Sequence, residues 1–311
     1  MENENLKKGI LFGIFANCFI GLQPIVANAR PDFIDPFIYA ALTVVFESIV
    51  LSPVMFLKRR KIRKQYNMGL ISQEDFHSLL YGFKDNKVLL LFIGAVFGGG
   101  QILFFIGYGL AGSINGALAQ KSTIFFSLLF GFLLLKETIT KLQIIFSAFL
   151  FFGLILAVTE GSFNLLEINL GVLILILLTC LWMLAHTLTK PIFQRKQAVP
   201  SQMVVLRNAI GAIILFVVFF VFFPIRMIEM LSNPVIIFWG FIMGATYGIG
   251  LFFWYQTLSH LDVSKASILV SPTPVVTAIF ATIFLNEVFT IADLLGTLIV
   301  IISIVVIMWE K

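Results

Sequence analysis

Two ionisable side chains, Glu47 and Lys121, stand inside long apolar runs, where an isolated charge costs several kcal/mol. Counting about 1.5 Å per residue from the outer ends of those runs puts Glu47 roughly 16 Å deep and Lys121 roughly 12 Å deep. The depths match, so the two are expected to face one interior and to pair, directly or through a bound molecule. Glu47 would then be the proton-responsive or amine-binding group and Lys121 the carboxylate-binding group. A buried ion pair that only fixes packing is the other reading. Around them, Phe97, Gln101, Phe104 and Tyr108 recur at i, i+4, i+7 and i+11, one stripe of a helix. Tyr247, Leu251, Trp254 and Leu258 repeat that spacing 150 residues later. Such aromatics offer an apolar face with a polar handle and suit a mixed molecule or a cation; an interfacial belt is the alternative for Tyr108. Gln120 beside Lys121, Ser271 (150 residues after Lys121) and Asn17 complete the candidate binding set, with Asn17 equally suited to holding helices together. Pro272 and Pro274 lack a backbone N–H and free carbonyls a turn earlier, as a plain kink or as a gating break that lines a cavity.

The elements carrying these residues are membrane spans. The 311 residues are 59% hydrophobic and only 12% charged, with a mean hydropathy of +1.03. That is about half the charge a soluble domain carries. Apolar runs long enough to cross a core about 30 Å thick recur near 8–28, 36–57, 87–110, 113–135, 142–159, 168–189, 201–223, 234–258, 263–285 and 291–309. The fold class expected is therefore an all-α membrane protein of ten transmembrane helices. The first run holds Asn17, Gln23 and Pro24 and has no small-residue cleavage site, so it reads as a retained span. Lys and Arg favour one side, with Lys58–Arg59–Arg60–Lys61 as the densest group. The positive-inside rule then places both termini in the cytoplasm of a cell whose inner or plasma membrane holds the chain. The connection 58–86 is cytoplasmic and basic, suited to anionic lipid headgroups, and Ser72 and Asp75 announce a short surface helix within it. Arg207 and His186, toward the inner ends of their spans, read as snorkelling or surface residues rather than as gates.

Other chemistries find no support. Cys18 and Cys180 fall in apolar runs and read as small hydrophobes, although a redox pair would also fit. No zinc spacing, HExxH or GxSxG occurs, and Gln120-Lys121-Ser122-Thr123 lacks the glycine and the strand of a phosphate loop. The basic residues lie in short juxtamembrane clusters, which excludes a nucleic-acid face. No catalytic residue, metal or cofactor is expected.

Shifting the chain by 150 residues lays the third to fifth spans on the eighth to tenth without a gap. Gly94-Ala95 meets Gly244-Ala245, Gly98 meets Gly248, Thr123 meets Thr273, Leu135-x-Glu137 meets Leu285-x-Glu287, and Glu160 meets Glu310. The first two spans match the sixth and seventh more weakly, through Pro36 and Pro200. Residues 1–160 and 161–311 are thus expected to be two five-helix repeats within one transmembrane domain. Five crossings is an odd number, so the second copy is inverted, the plan by which many secondary transporters open a central site to alternate sides. In this register the charges of Glu47 and Lys121 belong to one half only, opposite Gly211 and Ser271. Gly94/Gly98 and Gly240/Gly244/Gly248 read as close-packing faces, and Glu137 and Glu287 as acids complementing the helix that follows each.

The five-plus-five plan, the paired ends LLLKE (133–137) and IFLNE (283–287), and SPTP (271–274) resemble the drug/metabolite transporter superfamily, EamA branch. The resemblance covers nearly the whole chain. It implies a helical bundle with a central cavity that exports amino acids or similar small polar or amphipathic metabolites by alternating access, with protons as a candidate coupling ion. The chain departs from the family at Lys121-Ser122, where the family has a proline. Uptake or exchange of an organic anion is the alternative within transport, and a membrane sensor using loop 58–86 is the alternative outside it.

Overall fold

Asp35, Asn169 and Asn233 each precede a helix and accept hydrogen bonds from its first free amides. Pro36, Pro200 and Pro234 take the first helical turn, where a missing N–H is harmless. The computed structural model describes residues 2–158, 161–163, 169–224, 227–270 and 272–309; Ser271, Glu160 and Glu310 lie outside them. The regular elements among the described residues are helices, with no strand among them. Helices α1 (Glu2–Ala29), α2 (Pro36–Asn67), α3 (Gln73–Tyr81) and α4 (Lys87–Ala111) are followed by α5 (Ser113–Ala119), α6 (Thr123–Leu135) and α7 (Lys141–Val158). The second half supplies α8 (Leu170–Gln194), α9 (Pro200–Phe222), a single turn α10 (Ile228–Leu231), α11 (Pro234–His260), α12 (Val263–Leu269), α13 (Thr273–Leu285) and α14 (Ile291–Trp309). Seven continuous apolar stretches are long enough to cross a membrane, and three shorter apolar helices (within α7, α13 and α14) make up the rest. The apolar helices make this an integral membrane protein.

One boundary differs from expectation. Helix α2 does not stop near residue 57 but runs ten residues further to Asn67, because its basic residues are good helix formers. The expected short helix after it docks on the bundle: Ser72 caps α3 by accepting from Asp75 N at 3.0 Å, Ile62, Leu80 and Val199 form a small core, and Asp75 pairs with Lys196 at 3.2 Å.

The halves are interwoven. Helix α1 packs chiefly on α11, and α8 on α4; α2 and α9 pack on each other and on the third span of the opposite half; α7 lies against α14. Glycines permit the closest approaches, as their spacing suggests. A methyl group at Gly98 would stand 2.8 Å from Gly211 Cα on α9, and one at Gly248 would stand 3.3 Å from Glu47 Cα on α2. The match of Gly98·Gly211 with Gly248·Glu47 is the 150-residue register joined to the Pro36/Pro200 register. Gly98→Ala is expected to lower thermal stability in detergent by about 1–3 kcal/mol through overpacking. Gly99→Ala, whose methyl group meets nothing within 4 Å, should leave it within error.

Glu137 and Glu287 do complement helix N-termini, but not those of the helices that follow them. Glu137 accepts from Val263 N at 3.0 Å and from Ser264 Oγ at 2.7 Å, capping α12; Glu287 accepts from Ser113 N at 2.8 Å and Ile114 N at 3.0 Å, capping α5. The helices that follow have their own caps, Thr140 with Gln143 and Thr290 with Asp293, each pair bonded reciprocally. Because the end of α6 meets the start of α12 and the end of α13 meets the start of α5, the fourth and ninth spans run antiparallel.

Candidate functional site

Both of these antiparallel spans are broken at the same repeat position. The ninth breaks between α12 and α13, where Pro274 has no N–H to offer the carbonyl of Val270, four residues earlier. The fourth breaks between α5 and α6 at a 3₁₀ turn, Gln120–Ser122, although it contains no proline. Lys121 joins the breaks: its Nζ donates to Val270 O at 3.0 Å. The amine of one half thus satisfies the carbonyl that proline frees in the other. Asn17 supports the ninth-span break, accepting from Thr273 Oγ1 at 2.7 Å, the helix-joining role open to it in the sequence.

A cavity of about 90 Å³ opens against these breaks. Gln120, Lys121 and Thr123 line it from the fourth span and Val270 from the ninth; Ile20 and Gln23 of α1, Thr179, Trp182, Met183 and His186 of α8, and Tyr247, Leu251 and Trp254 of α11 complete the wall. Among these described residues none is an Asp or Glu. One probe-sized water needs about 10–15 Å³ of such space, so the cavity has room for several waters or one small molecule. Its wall is aromatic: Trp182 and Tyr247 stand 6.2 Å apart edge to face, and His186 meets Trp254 at 5.3 Å. Trp254 Nε1, Gln120 Nε2 and His186 Nδ1 are buried without a hydrogen-bond partner.

Of the residues singled out from sequence, Gln120, Lys121, Tyr247 and Trp254 reach this wall. Phe104 and Tyr108 stand behind it: Phe104 packs on Trp182 and Tyr247, and Tyr108 donates to Gln120 Oε1 at 3.1 Å. The four wall residues of α8, Thr179, Trp182, Met183 and His186, were not singled out as binding groups. They recur at i, i+3, i+4 and i+7, a polar-aromatic helical stripe that was there to be read. His186 is therefore not a surface residue; it is 7% exposed and belongs to the cavity.

Glu47 corrects the sequence reading most. It is fully buried and makes no direct ion pair with Lys121. Its carboxylate accepts from Asn208 Nδ2 at 2.6 Å and Gln101 Nε2 at 3.0 Å, with Arg207 Nη2 at 4.0 Å. Arg207, expected to snorkel, is 1% exposed. Its guanidinium lies over the Phe97 ring at 3.6 Å, donates to Asn208 Oδ1 at 3.0 Å and reaches Tyr255 Oη at 3.4 Å. The packing of α2 on α9 brings the two charges together, and the aromatic face and amides replace the water that snorkelling would seek. The buried charge is consequently not confined to one half. His186 touches both centres, its ring tilted against Phe97 at 4.8 Å and edge-on to Tyr255 at 5.4 Å. The two cysteines are free thiols, not a redox pair.

The EamA-like transporter family matches residues 7–159 and again residues 169–309. An uncharacterized transporter of Bacillus subtilis, YyaM, is 30% identical over 206 residues, covering 64% of this chain; the match spans 66% of that relative's length. An uncharacterized transporter of Methanothermobacter thermautotrophicus is 20% identical over 315 residues, 97% of this chain and 86% of its own. One crystal structure superposes with a TM-score of 0.68 at 14% identity, over 97% of this chain and 99% of that one, a likeness of fold alone.

Proposed function

Since this chain belongs to the EamA-like transporter family, we propose that it is a secondary transporter of small metabolites that carry a carboxylate, amino acids foremost. The observation that carries this reading is Lys121: a buried amine on the cavity wall whose hydrogen bond goes to a neutral carbonyl, with no acidic side chain on the described wall. A carboxylate arriving in the cavity gives that amine the anionic partner it lacks, through a charge-assisted bond. The indole, phenol and imidazole around it offer ring faces to an ammonium or an apolar side chain.

Alternating access follows from the two-half plan. One set of helices, drawn from both halves, would rock against another about the crossed breaks of the fourth and ninth spans, where discontinuous helices commonly hold cargo. The lysine distribution supports cytoplasmic termini in the inner or plasma membrane, the family resemblance supports export, and the buried titratable groups support a proton as coupling ion. The Glu47–Arg207 centre, off the cavity wall, serves as a packing and relay element beneath His186 rather than as the amine site.

Organic-anion exchange is the second reading, favoured by the same lack of an acid on the wall. A thermal-shift screen of the purified protein against amino acids and their 2-hydroxy analogues separates the two, because a ligand that binds the folded state raises its stability by mass action. Stabilisation by amino acids alone supports the first reading, and equal stabilisation by the hydroxy acids supports the second. No shift with any carboxylate at millimolar concentration contradicts both.

A further inference from the structure

A second concave site lies where α2 leaves the apolar zone, and it rests on different residues from the transport cavity. Phe56 and Leu57 are exposed apolar side chains at 58% and 64%, and Lys58–Arg59–Arg60–Lys61 follows at once. That switch from apolar to basic is the signature of a span meeting charged headgroups. Beside it Arg59, Arg60 and Arg63 line a groove of about 480 Å³ together with Phe56, Gln202 and Leu206. Arg59 is held in place by donating to Leu80 O at 3.1 Å, with its guanidinium 5.5 Å over the Tyr81 ring. None of the three arginines has a carboxylate partner among the described residues. Gln202 at the base of the groove is fully buried; its Nε2 is committed to Leu80 O at 3.1 Å, leaving Oε1 without a partner.

We propose that this groove is a binding site for one anionic phospholipid. Planar guanidinium groups suit the phosphate oxygens, the free Gln202 Oε1 accepts from a headgroup hydroxyl, and the exposed Phe56 and Leu57 run beside the acyl chains. A soluble phosphate would use the arginines but not the apolar flank. The lipid would bridge α2 to α9, the two helices that also carry Glu47 and Arg207, and so would stabilise their packing.

Purified protein in zwitterionic-lipid nanodiscs, titrated with phosphatidylglycerol, tests this by thermal shift and by native mass spectrometry of retained lipid. Arg60→Gln/Arg63→Gln, both at the surface, should weaken phosphatidylglycerol binding roughly thirty-fold, from the loss of two guanidinium–phosphate contacts at about 1 kcal/mol each. Lys61→Gln/Lys64→Gln removes the same charge from the same helix outside the groove; it loses only screened, solvent-exposed attraction and no headgroup contact, and should change binding less than about threefold. Equal losses in both variants would show only bulk surface attraction and overturn the site. Equal stabilisation by inorganic phosphate would make it a free-anion site and overturn the lipid assignment. Neither outcome touches the Lys121 reading, whose cargo screen uses neither lipid nor these residues.

Discussion

Lys121→Met is expected to cut metabolite flux in proteoliposomes by roughly ten- to a hundredfold while the unliganded protein stays as stable as wild type or gains stability. The flux loss is that of one charge-assisted hydrogen bond, about 1.5–3 kcal/mol. The stability expectation follows from what the amine does without cargo. It is buried at 4% exposure against a neutral carbonyl, and burying an amine without an anionic partner carries a desolvation cost that methionine avoids. Val270 O keeps acceptances from the Thr273 hydroxyl and, weakly, from Thr273 N at 3.4 Å, so the break is not orphaned. A purely structural lysine predicts the opposite pairing, with stability falling and flux following it. Thermal unfolding and flux measured on the same preparations distinguish the two patterns.

Removing one member of the Glu47–Arg207 pair should be the most destabilising change in the helix core. Arg207→Met leaves the Glu47 carboxylate with only its two amide donors, and Glu47→Gln leaves a buried guanidinium over Phe97 with no anion. Each is expected to cost about 3–5 kcal/mol, the usual penalty for a broken buried pair. The double variant should recover much of that loss, since neither charge is then stranded. A double-mutant cycle on detergent unfolding measures the coupling. Additive losses would mean that the 4.0 Å separation leaves the two charges independent.

Much of this arrangement was written in the sequence. The 150-residue register carried the third to fifth spans onto the eighth to tenth. The structure repeats it in the left-handed residues Lys136 and Asn286, in the caps on α7 and α14, and in the carbonyls of Tyr108 and Leu258, taken by Asn28 at 3.2 Å and Lys190 at 2.7 Å. Local chemistry decides the turns and the caps, whereas the two carbonyl contacts join residues 80 and 68 apart and need the packed fold. The Glu47 partner was not legible, because Arg207 is brought to it only by the packing of α2 on α9, and a lone arginine seven residues into a span looks like one that snorkels. The break at Gln120–Ser122 was hidden for a related reason. No proline marks it; Lys121 is drawn to a carbonyl that Pro274 frees in the other half. The ninth span could be read to bend from its own residues, whereas the fourth bends at a lysine that answers the ninth.

Charge recognition at the crossed breaks is tested most directly by a specificity ratio: transport of the best amino acid from the screen against transport of its carboxamide. Wild-type protein in proteoliposomes should prefer the acid by at least roughly tenfold, and Lys121→Met should abolish the preference by slowing the acid while leaving the amide unchanged. An acid-to-amide ratio that survives Lys121→Met intact would contradict the account, placing the carboxylate-binding group elsewhere in the cavity.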